Sequence, residues 1–192
     1  MSVYNAIKYD PINAGSLTLI STFTSDGSDA TASFTSGIDS TYKEYLFIFN
    51  NIHPETDDTN FQVNFRDGST AYDATKTTTY FRAIHNESDA TALLEYEAAN
   101  DLAQGTGFHT IIDDLGSDND QACGGFIRLF NPSSTTFVKH FMTTVAVSQS
   151  ADYAMNLFTA GYGNTTSAID AVQFKQSSGE IQAGTIGLFG VK

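Results

Sequence analysis

The chain has 192 residues, of which 41% are hydrophobic and only 16% charged, and its formal net charge is −13. That length suits one domain with a full core, and 15 Phe with 9 Tyr exclude a disordered chain. The acidic balance excludes a nucleic-acid backbone or an anionic membrane as partner, and a single cysteine, Cys123, excludes an internal disulfide framework or a Cys-rich zinc site.

The first fifteen residues, "MSVYNAIKYDPINAG", carry Val3, Tyr4, Ile7, Tyr9 and Ile12 with neither a helical nor a strand period. They read as an extended arm whose apolar groups can lie along a neighbour's sheet edge. They lack the basic and apolar regions of a secretory leader, so synthesis in a cytoplasm is expected. No run in the chain approaches the ~20 apolar residues that a membrane-spanning helix needs.

From residue 16 onward, period-two alternation dominates. Strands are predicted at 17–23, 31–34, 45–52, 61–67, 78–84, 108–112, 125–130, 138–147, 154–161, 171–175 and 184–190. In "FQVNFRD" the residues Phe61, Val63 and Phe65 share one face, with Gln62, Asn64 and Arg66 on the other. "YLFIFNNI" is denser and reads as a central strand covered on both sides. Turn chemistry punctuates the series, as in "SDGSD" at 25–29, "RDGS" at 66–69, "NPSS" at 131–134 and "SSGE" at 177–180. Residues 88–105 break the rhythm; Ser88 or Asp89 could cap a short helix there, or the segment is a long loop.

About ten short strands separated by regular turns predict an all-β fold, an antiparallel β-sandwich of jelly-roll type with at most one short helix. The expected organisation is an arm over 1–15 and one domain over 16–192. The chain ends in a strand, with Ile186 and Leu188 facing one way and Thr185, Gly187 and Phe189 the other. Such a strand belongs inside a sheet, where its ladder holds the carboxyl end in place.

Few residues suggest chemistry. "DDLGSDND" gathers Asp113, Asp114, Asp118 and Asp120 within eight positions, and hard oxygen ligands in a flexible loop are what Ca²⁺ requires. The spacing of an EF-hand loop is absent, so a solvated acidic loop is the competing reading. The histidines at 53, 85, 109 and 140 show no ligand spacing. Neither a Gly-x-Ser-x-Gly turn nor a Cys–His arrangement is present, and no catalytic residue or enzyme activity is expected. Cys123 reads as a small buried thiol. Tyr42, Tyr153 and Tyr162 lie at or near turns, where aromatic rings serve subunit interfaces or stack on sugars.

The ending "AIDAVQFKQSSGEIQAGTIGLFGVK" resembles the C-terminal signature of tailed-bacteriophage virion structural proteins. Ile169, Val172 and Phe174 fill its aliphatic and aromatic run, Ser178 and Gly179 its turn, and Gly184, Thr185, Ile186, Leu188, Phe189 and Gly190 its last strand. Residues 16–69, with "FTSGIDSTY" and an Ile-x-Pro-x-Thr-Asp turn, and "FNPSSTTFVKH" at 130–140 are similar to the same group. The resemblance implies a β-sandwich made in a host cytoplasm and located in the virion. A capsid decoration or accessory protein, bound to other virion proteins and to its own copies, is the expected role; a trimer is the favoured assembly. The alternative is a tail-fibre or receptor-binding module that recognises host glycans.

Overall fold

A computed structural model describes residues 17–192. The expected arm over 1–15, with Val3, Tyr4, Ile7, Tyr9 and Ile12, lies outside the described residues. Twelve strands follow in chain order: β1 (Leu17–Thr24), β2 (Ala32–Phe34), β3 (Glu44–Pro54), β4 (Thr59–Arg66), β5 (Lys76–Asn86), β6 (Ala92–Tyr96), β7 (His109–Leu115), β8 (Cys123–Phe130), β9 (Lys139–Gln149), β10 (Tyr153–Gly163), β11 (Ala171–Gln176) and β12 (Ile181–Val191). Among the described residues there is no helix. The chain is all-β, and every strand pair is antiparallel.

The strands hydrogen-bond into one nearly closed sheet with two arms. The long arm runs β1-β12-β3-β8-β9-β10-β5-β6, and the short arm runs β7-β4-β11-β2. Both edges of β9 are taken by β8 and β10, so β7 reaches it only at the tip, through the single pair Leu115↔Gln149. The carboxyl-terminal strand β12 lies between β1 and β3, with Ile186 opposite Phe23 on one side and Phe49 on the other. Gly184 allows the register shift there. Its φ is +112°, and a Cβ on it would stand 2.5 Å from the Asn51 carbonyl oxygen.

Alternation explains how the arms face each other. In β9 the residues Phe141, Val145 and Val147 point inward and are buried, whereas His140, Met142 and Ala146 point outward. The short arm lies across the long one, and phenyl rings fill the space between. Phe174 of β11 packs against Phe47 and Phe49 of β3, with ring centroids 5.4 and 5.3 Å apart, and stacks on Phe61 of β4 at 5.8 Å. Edge-to-face pairs of this kind add about 0.5–1.5 kcal/mol each beyond the burial of their area.

Of the two alternatives expected over 88–105, the helix is corrected, while turns and irregular chain surround one short strand. Residues 92–96 form β6, which pairs with β5 through Ala83↔Leu94 and Phe81↔Tyr96. The turn before it is closed by Asn86, whose Oδ1 accepts from the backbone N–H of Ala90 and Thr91, while Asp89 takes a left-handed φ of 57°. That bond pattern turns the chain back on itself and leaves Ser88 and Asp89 no helix to cap.

Candidate functional site

The acidic stretch 113–120 is not one flexible loop. Asp113 and Asp114 belong to β7, and Asp118 and Asp120 follow in the turn beyond it. Asp113 is buried and bonded to Tyr80, Arg82 and Asn100. Asp120 lines a separate surface cleft of about 430 Å³ with Asn51, His53 and Gln182, and the Asp118 carbonyl oxygen lies 3.1 Å from His53 Nε2. Among the described residues no group of three or more His, Cys, Asp or Glu side chains converges as metal ligands would. The four carboxylates named for Ca²⁺ are thus divided: β7 holds Asp113 and Asp114 in its ladder, and Asp118 and Asp120 follow in the turn beyond it.

The three tyrosines are also dispersed. Tyr42 packs edge-on against Tyr45, at 5.8 Å between centroids, and covers Gly190. Tyr153 opens β10, is half-buried against the core, and lines the cleft described next. Tyr162 lies near the far end of β10, with His140 of β9 beside it at 6.2 Å.

The densest constellation of charge lies where β5 and β6 meet β7, and it centres on Arg82. Its Nε donates to Glu95 Oε1 at 2.8 Å, one terminal nitrogen donates to Glu97 Oε2 at 3.2 Å, and the other to Asp113 Oδ2. Asp113 in turn accepts from the Tyr80 hydroxyl at 2.6 Å and from Asn100 Nδ2 at 3.1 Å. Burial works against the Arg82 charge, but the bond to Glu95 and the nearby carboxylates outweigh it and hold its pKa above the ordinary value. Burial, then the charges of Asp113 and Asp58, push Asp114 upward. A cleft of about 290 Å³ opens beside this network, with Ile84, Leu93 and Met155 as its apolar walls and Asp114 and Gln149 on its polar side.

A second polar group bridges the arms farther along β5. Lys76 is fully buried, and its Nζ donates to Asn64 Oδ1 at 2.5 Å and to the Ala74 carbonyl at 2.6 Å. Burial lowers its pKa to about 8. His109 is also fully buried; burial, reinforced by the Lys76 charge, lowers it to about 3, so the ring is neutral. Its Nδ1 lies 3.3 Å from Thr78 Oγ1. Cys123 is a buried thiol whose pKa burial pushes up, which suppresses the reactive thiolate.

These groups have the features of a clasp. Arg82 joins β5 to β7, and Lys76 joins β5 to β4, so both tie the long arm to the short arm where the backbone supplies one strand pair only. No protein-family model matches the chain, and no curated protein matches it. Reading by motif missed Arg82 because it sought clusters close in sequence. The available signal was scarcity: with 9 basic residues against 22 acidic ones, an arginine inside a strand has carboxylates to meet.

Proposed function

We propose that this chain is a structural component of a tailed-bacteriophage particle, a capsid decoration or accessory protein that works by protein–protein contact. The observation that carries the reading is the strand order. Removing the two hairpin pairs β5–β6 and β9–β10 leaves the quartets β1-β12-β3-β8 and β2-β11-β4-β7. Each strand of one quartet has its chain neighbour in the other, the doubled Greek key of a jelly-roll sandwich, an architecture frequent in viral shells. The resemblance of the C-terminal stretch to virion proteins supports the same reading, because that stretch supplies β11 and β12, one strand to each quartet.

The chemistry of the interior supports a binding role. Arg82, Asp113 and Lys76 are committed to one another's arms, and His109 and Cys123 are sealed from solvent. Quantitative mass spectrometry of purified particles tests the proposal. A copy number on the scale of the shell subunits is expected, and absence of the chain from particles overturns the reading. A receptor-binding tail module is the second reading, favoured by a shallow groove of about 410 Å³ where Tyr162, His140, Thr77 and Thr79 offer rings beside hydroxyls. A copy number on the scale of tail fibres selects it.

A further inference from the structure

The outward side of the long arm carries a row of apolar side chains interrupted once, by Thr144. Ile48, Phe126, Thr144, Phe158, Phe81 and Tyr96 are successive cross-strand partners on β3, β8, β9, β10, β5 and β6. Residues paired in this way share one face of a sheet. Phe81 and Phe158 stack with centroids 4.9 Å apart. The large apolar side chains left exposed among the described residues concentrate here. Leu17, Leu19, Phe81, Leu94, Tyr96 and Met142 all occupy outward positions of the long arm, with Leu94 72% and Tyr96 54% exposed. Leu93 faces the Arg82 cleft instead, and Phe137 sits in the loop before β9. Isolated exposed apolar groups are ordinary, but a contiguous apolar face marks an interaction surface.

We infer that this face pairs with the same face of a second copy of the chain, around a two-fold axis. Charge selects that occupant. The chain is at −13, yet among the described residues the outward strand positions of the long arm carry one acidic side chain, Glu44, which Arg128 neutralises at 2.6 Å. Two loop carboxylates, Asp101 on the Tyr96 hydroxyl and Asp89 on His85, border the face at its β5–β6 end. A partner drawn by the net charge would be basic, and it would be drawn to the acidic loops at the strand ends. The neutral apolar face has nothing to offer such a partner, but it complements itself, as an isologous contact requires. Size agrees. At ~4.8 Å per strand and ~3.4 Å per residue, six strands of about eight residues present on the order of 800 Å², close to the ~800 Å² per partner of a standard interface.

The pairing is read separately from the proposed function, since particle composition reads the one and sedimentation of the purified chain the other. Pairing through this face covers the Tyr162 groove of the receptor-binding reading. Sedimentation velocity of the full chain across a concentration series is expected to show twice the 20.7 kDa chain mass. Added salt is expected to tighten the dimer, because it screens repulsion between acidic copies and leaves apolar burial intact. Leu94→Asp with Met142→Asp alters two exposed positions outside the core, so circular dichroism should not change. The dimer should weaken at least ~100-fold, since each substitution buries an unpaired charge in the contact. Phe137→Asp, at a 69% exposed position off the face, should leave it unchanged. A wild-type chain that stays monomeric at every concentration, one that forms a trimer, or a dimer that survives the double substitution overturns the pairing.

Discussion

The two arms of the sheet close on each other through two unlike regions. Between β3 and β11 the interior is phenyl rings, with Phe174 in contact with Phe34, Phe47, Phe49 and Phe61. Between β5 and the strands β7 and β4 it is charge and amide, with Arg82 on Asp113 and Lys76 on Asn64. The rings need no particular register; any well-packed arrangement releases their surface from water. Buried charges tolerate no slip, because a lost partner leaves an uncompensated group in the interior. The difference separates two tasks. Apolar packing supplies most of the stability, and the polar clasp aligns two arms that share one backbone pair, Leu115↔Gln149.

Substitutions at the two regions should differ in size and in response to pH. The largest effect is expected at the rings: Phe174→Ala removes a buried phenyl from the centre of four others and should cost about 4 kcal/mol in urea unfolding. Asp113→Ala should follow at about 3 kcal/mol, because it leaves Arg82, Tyr80 and Asn100 each short of an acceptor. Replacement by an apolar residue should behave differently at Lys76. Its folded pKa of about 8 lies below the ordinary 10.5, so between those values the unfolded chain holds a proton that the folded chain has released. Wild-type stability should therefore rise by roughly 3 kcal/mol as pH climbs from about 8 to 10.5, and Lys76→Met should lack that rise when the two unfolding profiles are subtracted. The smallest effect is expected at Glu97→Gln, about 0.5 kcal/mol, since that partner is partly exposed and Arg82 keeps Glu95 and Asp113.

Much of the fold was legible from local pattern. "FQVNFRD" put Phe61, Val63 and Phe65 on one face, and all three are fully buried. The final strand was read with Ile186 and Leu188 opposite Phe189, and β12 holds them that way between β1 and β3. β6 escaped because "ALLEY" has large apolar groups on both sides: Leu93 covers the Arg82 cleft while Leu94 and Tyr96 face outward, so no alternation shows. The polar clasp escaped for a different reason. Arg82 and Asp113 are 31 positions apart, and Lys76 meets Asn64 across a turn, so only the closing of the arms brings them together. The acidic run at 113–120 shows the same limit of local pattern: closeness in sequence is not closeness in space, and the strand end at Leu115 divides it.

The outward face of the long arm was the least visible of all, since it is a row of single residues from six strands. It is the surface on which the inferred pairing rests, and a part that works by contact can use it to hold its own copies together. Imaging purified particles at a resolution that resolves strands tests this most directly. The account predicts density for this chain on the particle, with the row from Ile48 to Tyr96 covered by another copy. Particles without the chain, or copies whose row faces bare solvent, would contradict it.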